Sequence, residues 1–320
     1  QVVTPAGETQ RFFQEAYLQV GTYKVEVKAL AATDAAGVYD GAYSTPITVT
    51  RLPAPKAASQ NFIVSNPDRL SDGFTVTFNR VEGAFGYRLY RDNVLLKSGT
   101  APSFSDSSMV DETSIGEQTF NYLVQAVGTV KTVSGKIEVT LGSLSADSLS
   151  FQITVLSAPV TPAMDGFKYS FGEVSKSHGY SINVGGKTYT AENTEFDLGV
   201  VLAAGNYTIK VCARGNGSDV LASNFADPLN LVRLEAPRNV RIDTTEASDG
   251  TLTYDSILYA LSYFIVFNND GQTRDAATIG NMNQYITTEG TSVYMQSAAN
   301  YYNSDRTVYY MTSQPGTTMM

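Results

Sequence analysis

The stretch DGFTVTFNRVEGAFGYRLYRDN, from Asp72 to Asn93, decides the fold. Phe74, Val76 and Phe78 alternate with other residues, and after a short interval Tyr87 and Leu89 resume the alternation. A side-chain period of two puts alternate residues on one face, so the stretch reads as strand, loop and strand with an apolar inner side. It recurs twice, as DGFKYSFGEVSKSHGYSINVGG from Asp165 and DGTLTYDSILYALSYFIVFNND from Asp249. In each copy an aromatic residue (Phe78, Phe171, Tyr254) is followed three positions later by Val81, Val174 or Ile257, and nine positions later by Tyr87, Tyr180 or Tyr263. Self-similarity of this kind marks a chain of repeated folding units.

Two further pieces repeat with it. LQVGTYKVEVKA from Leu18, LAAGNYTIKVCA from Leu202 and the looser IGEQTFNYLVQA from Ile115 each open an alternating run on an aromatic residue, Tyr23, Tyr207 or Phe120. PITVTRLPAP, SFQITVLSAP and PLNLVRLEAP each close a strand and end in Ala-Pro, at Pro55, Pro159 and Pro237. Proline cannot donate to a ladder and fixes φ, so it suits the first residue of a new unit. The spacing between these prolines is 104 and then 78 residues.

Taken in order, Ala-Pro, an inward aromatic on strand B, a Tyr opening strand C and L-x-x-G-x-Y on strand F resemble the fibronectin type III-like modules of bacterial tandem arrays. The resemblance implies an all-β chain of tandem antiparallel β-sandwich (fibronectin type III/immunoglobulin-like) modules joined by short Ala-Pro linkers. It also implies an extracellular or cell-surface location and a non-catalytic role. Tyr23 and Tyr207 stand where the family has its tyrosine corner, whose hydroxyl bonds back to nearby backbone. Phe120 lacks that hydroxyl, and strand B carries Phe or Tyr where the family has Trp.

The linkers divide the chain into residues 1–51, the C-terminal part of a truncated module; 52–156, a module with an extra hairpin; 157–234; and 235–320. The surplus of the second lies in VGTVKTVSGKIEVTLGSLSAD from Val127, with alternation across Val130, Val133, Ile137 and Val139. In the last, TSVYMQSAAN is expected to be strand F and RTVYYMTSQ strand G.

Composition agrees with packed strands. Of 320 residues, 42% are hydrophobic and 17% charged, with 20 Tyr and 15 Phe, too apolar for a disordered chain. A net charge of −9 with no Lys/Arg cluster argues against nucleic acid as a partner. No apolar run is long enough for a membrane span, and the opening residues lack the marks of a targeting signal. The chain opens at Gln1 rather than Met, which leaves room for a signal or further domains upstream. With one cysteine, Cys212, no intrachain disulfide forms, and a monomer held by its own cores is expected.

Little in the sequence points to catalysis, a cofactor or a metal. The single histidine, His178, falls in the loop before Tyr180 without a signalled nucleophile or acid, so a solvated loop residue is expected. Cys212 lies between inward Val211 and Ala213 and so nominally faces the other way, a small structural residue with no cation beside it in sequence. One Cys and one His cannot build a structural zinc site. The loops TDAAGVYDGAYS (Asp34, Asp40) and NPDRLSD (Asp68, Asp72) hold hard oxygen ligands, but Asp-Gly is equally turn chemistry, as at Asp72-Gly73, Asp165-Gly166 and Asp249-Gly250. Asn206 and Asn216 match the N-glycosylation acceptor pattern, which chance explains.

The candidate binding residues are tyrosines. Tyr39 and Tyr43 lie on a loop between strands F and G, and Tyr301, Tyr302, Tyr309 and Tyr310 crowd the end of the chain. Exposed Tyr faces suit a surface protein or a glycan, and adjacent strand residues point oppositely, so one ring of each pair is expected outside. The favoured reading is a spacer or presentation region of a larger surface protein. Adhesin or carbohydrate-binding modules, and a phage or virion decoration protein, are its rivals.

Overall fold

The computed structural model describes residues 18–31, 37–109, 116–243, 251–267, 271–279 and 292–316. All the regular structure among them is strand, apart from two 3-10 turns at Leu70–Asp72 and Ala276–Thr278. The first strands among the described residues are β1 (Gly21–Val25) and β2 (Ile47–Arg51), an antiparallel pair.

Next come β3 (Ile63–Ser65), β4 (Phe74–Thr77), β5 (Gly86–Arg91), β6 (Val94–Gly99), β7 (Ser103–Asp106), β8 (Gln118–Val127), β9 (Val130–Val133), β10 (Lys136–Leu141) and β11 (Leu149–Val155). Apart from β9 and β10, which join β2 in the sheet β1-β2-β10-β9, they build a sandwich in which the sheet β3-β4-β7 faces β11-β8-β5-β6. Between the sheets lie Phe74, Val76, Phe78, Tyr87, Leu89, Tyr122, Val124 and Ile153, all buried.

The plan repeats with β12 (Ala163–Asp165), β13 (Lys168–Ser170), β14 (Tyr180–Val184), β15 (Lys187–Ala191), β16 (Glu195–Asp197), β17 (Gly205–Ala213), β18 (Val220–Leu221) and β19 (Leu229–Arg233). Here β12-β13-β16 faces β15-β14-β17-β19. The last unit has β20 (Arg241–Asp243), β21 (Thr251–Thr253), β22 (Ser262–Phe267), β23 (Thr273–Asp275), β24 (Val293–Ala298), β25 (Tyr301–Tyr302) and β26 (Val308–Met311). Its sheets are β20-β21 and β23-β22-β24, with Ile265, Phe267, Val293 and Met295 buried between them.

The repeated spacing has a physical cause. Tyr87, Tyr180 and Tyr263 turn their hydroxyls back to accept the backbone N–H of Val81 (2.8 Å), Val174 (3.0 Å) and Ile257 (2.7 Å). The aromatic residue three positions before each N–H meets the same tyrosine ring: Phe78–Tyr87, Phe171–Tyr180 and Tyr254–Tyr263 have centroids 4.8, 4.7 and 4.6 Å apart. One ring therefore packs the core and satisfies an amide in the loop between strands, which would otherwise be stranded. Phe78 and Phe171 are buried, while Tyr254 is half-buried against Tyr263. The corner tyrosines also behave as the resemblance implies: Tyr23 donates to Gln19 O at 2.9 Å and Tyr207 to Ala203 O at 3.0 Å. At Phe120 the Arg91 guanidinium lies 5.4 Å from the ring centroid instead.

A second repeated device was not legible in the sequence. Where the chain leaves the eighth, seventeenth and twenty-fourth strands, Ser143, Ser223 and Ser313 clasp Ala126, Ala213 and Ser297 respectively. In each case the serine N–H donates to that residue's carbonyl, at 3.0 Å, and its Oγ accepts the same residue's N–H at 2.8 to 3.0 Å. The hydroxyl stands in for a missing ladder partner.

Inside the second unit Asp106 is fully buried and accepts from Tyr122 Oη (2.7 Å), Ser108 N (2.9 Å), Ser108 Oγ (2.6 Å) and Arg91 Nη1 (3.3 Å). Burial pushes its pKa up, but these donors outweigh burial and hold the carboxyl below its ordinary value. Because the folded pKa is depressed, the stabilisation is present above the ordinary carboxylate range and is lost as pH falls through the folded value.

Two predictions follow from these contacts. Tyr180→Phe leaves the Val174 amide without its acceptor and is expected to cost about 1–3 kcal/mol in urea unfolding; an unchanged midpoint contradicts the role of the hydroxyl. Asp106→Asn is expected to cost about 1.5–3 kcal/mol at about pH 7 and to flatten the loss of stability toward about pH 3. Parallel curves for the two proteins across that range contradict the assignment.

Candidate functional site

The sequence-derived candidates scatter. Tyr39 and Tyr43 are exposed, at 87% and 59%. Lys28 lies 5.3 Å from the Tyr43 ring centroid and pairs with Asp40 at 2.7 Å, and Asp40 also accepts the Ala31 N–H at 2.9 Å. Asp34 and the Asp249-Gly250 pair lie outside the described residues. Gly73 and Gly166 have φ of 64° and 58°, so the Asp-Gly pairs there are turns. A Cβ on Gly73 would come within 1.9 Å of Asp106 O. Asp72 accepts from the Asn66 amide at 2.7 Å. Exposed His178 uses its backbone N–H on Arg214 O.

The four C-terminal tyrosines behave differently from expectation. Tyr309 and Tyr310 are both buried, at 2% and 8%, and Tyr301 and Tyr302 are both half-buried, so no pair leaves one ring outside. The reason is that β26 is not strand G of its own unit. It pairs in parallel with β19 of the unit before, Leu231 opposite Tyr309 and Val232 opposite Tyr310, which places Tyr309 in that unit's core while Tyr310 packs on the other face against Tyr259 and Tyr301. The following segment takes the G position, with Ser313 N and Gly316 N donating to Ser297 O and Met295 O. Tyr302 Oη accepts Met164 N–H at 2.7 Å, and Tyr309 Oη donates to Gly166 O at 3.2 Å. Tyr310 is stacked between Tyr259 and Tyr301, at 4.4 and 5.2 Å.

The same join occurs at every junction. The closing strand β2 pairs in parallel with β10, Thr48 opposite Glu138 to Arg51 opposite Leu141. The closing strand β11 pairs in parallel with β18, Thr154 opposite Val220 and Val155 opposite Leu221. In each case the closing strand of one unit extends its sheet with a strand that follows strand F of the next. The extra hairpin β9–β10 read from the sequence is therefore a joining element, and Val130, Val133 and Ile137 on it are exposed. Cores exchange residues across the joins: Leu221 of β18 belongs to the second unit's core, and Tyr309 and Met311 of β26 to the third's.

Between the second and third units a polar lock adds to the strand pairing. Asp68 Oδ1 accepts from Arg214 Nε at 2.6 Å and from Ser181 Oγ at 2.7 Å, Gly215 N donates to Pro67 O at 2.8 Å, and Ser65 N to Gly217 O at 3.0 Å. Partial burial works against the Asp68 charge, yet Ser181 and Arg214 hold its pKa below the ordinary value. Beneath it Cys212, facing away from Val211 and Ala213, is 1% exposed because the second unit's loop covers that face. Burial, then the Asp68 charge, push its thiol up to about 12, the opposite of an activated thiolate.

No helix of the described residues is long and apolar enough to cross a membrane. No protein-family model and no curated protein matches the chain. Similar solved structures include the FN1-FN3 domains of chicken CNTN1, at 11% identity and a TM-score of 0.22 over 84% of this chain and 97% of that one. Another is the central fibronectin-III array of RIM-binding protein, at 12% identity and a TM-score of 0.20 over 83% and 96%. The antiparallel sheets that face each other in the second, third and last units make this chain a tandem array of antiparallel β-sandwich units.

Proposed function

We propose that the chain is a non-catalytic spacer that holds its sandwich units in fixed succession and presents another domain at a cell surface or outside the cell. The observation that carries this reading is the parallel strand pairing at all three junctions, each reinforced by side chains that cross it. A flexible linker lets neighbouring domains reorient, whereas a shared sheet resists bending because any rotation breaks ladder hydrogen bonds and exposes core residues. Support for a non-catalytic role comes from the exposed single histidine and the buried, unactivated thiol. The surface location is supported by the resemblance of the repeat itself. The boundaries at residues 51/52, 156/157 and 234/235 belong to this proposal, with the sheets sharing strands across each.

Small-angle scattering of the intact chain tests it. The native protein is expected to fit one conformation, and Leu221→Ala combined with Asp68→Ala is expected to require a broad ensemble. Leu221→Ala alone should cost about 2–5 kcal/mol, the usual range for deleting a buried leucine. Native scattering that already demands an ensemble of bent arrangements removes the spacer reading.

A further inference from the structure

The second and third units carry equivalent positions at the joint end of strands C and F, and they are filled differently. In the second unit Tyr87 pairs with Ala126 and Arg88 with Gln125; in the third Tyr180 pairs with Ala213 and Ser181 with Cys212. Arg88 and Gln125 thus hold the register of Ser181 and Cys212, and Ser143 clasps Ala126 as Ser223 clasps Ala213. In the third unit this register is covered by an acidic loop from the unit before. Its Asp68 carboxylate takes donors from Ser181 and Arg214, and Pro67 accepts the N–H of Gly215.

In the second unit the same register is an open pocket of about 180 Å³, whose lining includes Arg51, Arg88, Gln125, Gly128, Gly142 and Ser143. Two arginines are among the residues lining it, and none of those residues is acidic. Arg51 is only 8% exposed; its Nη1 donates to Gly142 O at 3.0 Å, while its Nε has no hydrogen-bond partner. Arg88 is exposed and makes no ion pair among the described residues. Two arginines without a counter-charge, one of them buried with an unused donor, call for an anion. In the third unit the same register takes a carboxylate from the loop of a neighbouring unit, held there by Ser181 and Arg214, whose place in the second unit falls to Arg88 and Val127.

We infer that the pocket lined by Arg51 and Arg88 is a receptor for a carboxylate carried on an acidic peptide segment, at the register where the third unit receives Asp68 but with arginine donors of its own. The flanking backbone suits a peptide, since Gly128 occupies the position of Gly215, whose N–H bonds the chain beside Asp68. An occupant here touches β2, β5 and β8 together and so fastens the first junction in addition to its strand pairing.

Nuclear magnetic resonance titration of the isotopically labelled full chain tests this. The probes are a peptide of sequence SNPDRL, capped at both ends, the same peptide with Asn in place of Asp, sodium succinate, and inorganic phosphate. The aspartyl peptide is expected to shift the Gly128, Gly142 and Ser143 amide signals and the Arg51 and Arg88 Nε signals. Its asparaginyl form and Arg88→Ala are each expected to weaken that response about tenfold or more, as loss of a charge-assisted pair does. Because Arg88 is exposed, the variant keeps its fold, and Gln125→Ala provides an independent reduction. A response to succinate equal to that of the peptide keeps the carboxylate site but makes a free acid its source. No shift at these residues, a response untouched by Arg88→Ala, or phosphate binding as tightly as carboxylate overturns the inference.

Discussion

A closing strand at the edge of a sheet presents a row of backbone N–H and C=O groups, and each must find water or a partner. In this chain the partner is a strand of the next unit, which runs parallel to it and continues the sheet. Everything else at the junctions is arranged around that pairing. The hairpin β9–β10, the two-residue strand β18 and the hairpin β25–β26 are three lengths of the same joining element, each inserted after strand F. Once such an element is in register, its apolar residues reach the core of the unit before, as Leu221 and Met311 do. The loops beside it then lie close enough for Asp68 and Arg214 to meet.

Within each unit the same logic works on a smaller scale. The loop between strands B and C has one amide that no strand satisfies, and the strand-C tyrosine reaches back to it from the core. The end of strand F has one residue without a ladder partner, and a serine supplies both donor and acceptor. In the third unit the corner tyrosine fixes the crossover into strand F. These are all solutions to backbone accounting, and they recur because the backbone path recurs.

That distinction explains what could be read in advance. The aromatic residue, the valine or isoleucine three positions later and the tyrosine nine positions later recur in register in the sequence, because a ring contact and a local hydrogen bond demand fixed spacing. The hairpin at 130–139 was visible as alternation, but its purpose was not: parallel pairing to a strand 90 residues earlier, as between Val49 and Val139, leaves no local mark. For the same reason Val308–Met311 reads as a closing strand, and Tyr309 and Tyr310 read as half outside, until the covering unit is seen. Cys212 reads from the sequence as a small structural residue and is one, but the neighbour that covers it lies 144 residues away along the chain and leaves no local mark, as is true of the pairing of Asp68 with Arg214. The serine clasps leave no mark in the sequence, since a lone serine carries no periodicity and lies 17, 10 and 16 residues after the residue that it clasps.

The buried thiol gives a direct view of whether the second junction is closed. Alkylation of Cys212 in the native chain at neutral pH is predicted to be limited by opening of that junction, and so to run far slower than in the unfolded chain. Asp68→Ala is predicted to speed it about tenfold or more, the effect of losing about 1.4 kcal/mol of joint stability, without a matching change in global unfolding. Native labelling at the rate of a free thiol would contradict the account, because it would mean that the shared sheet does not hold the units together.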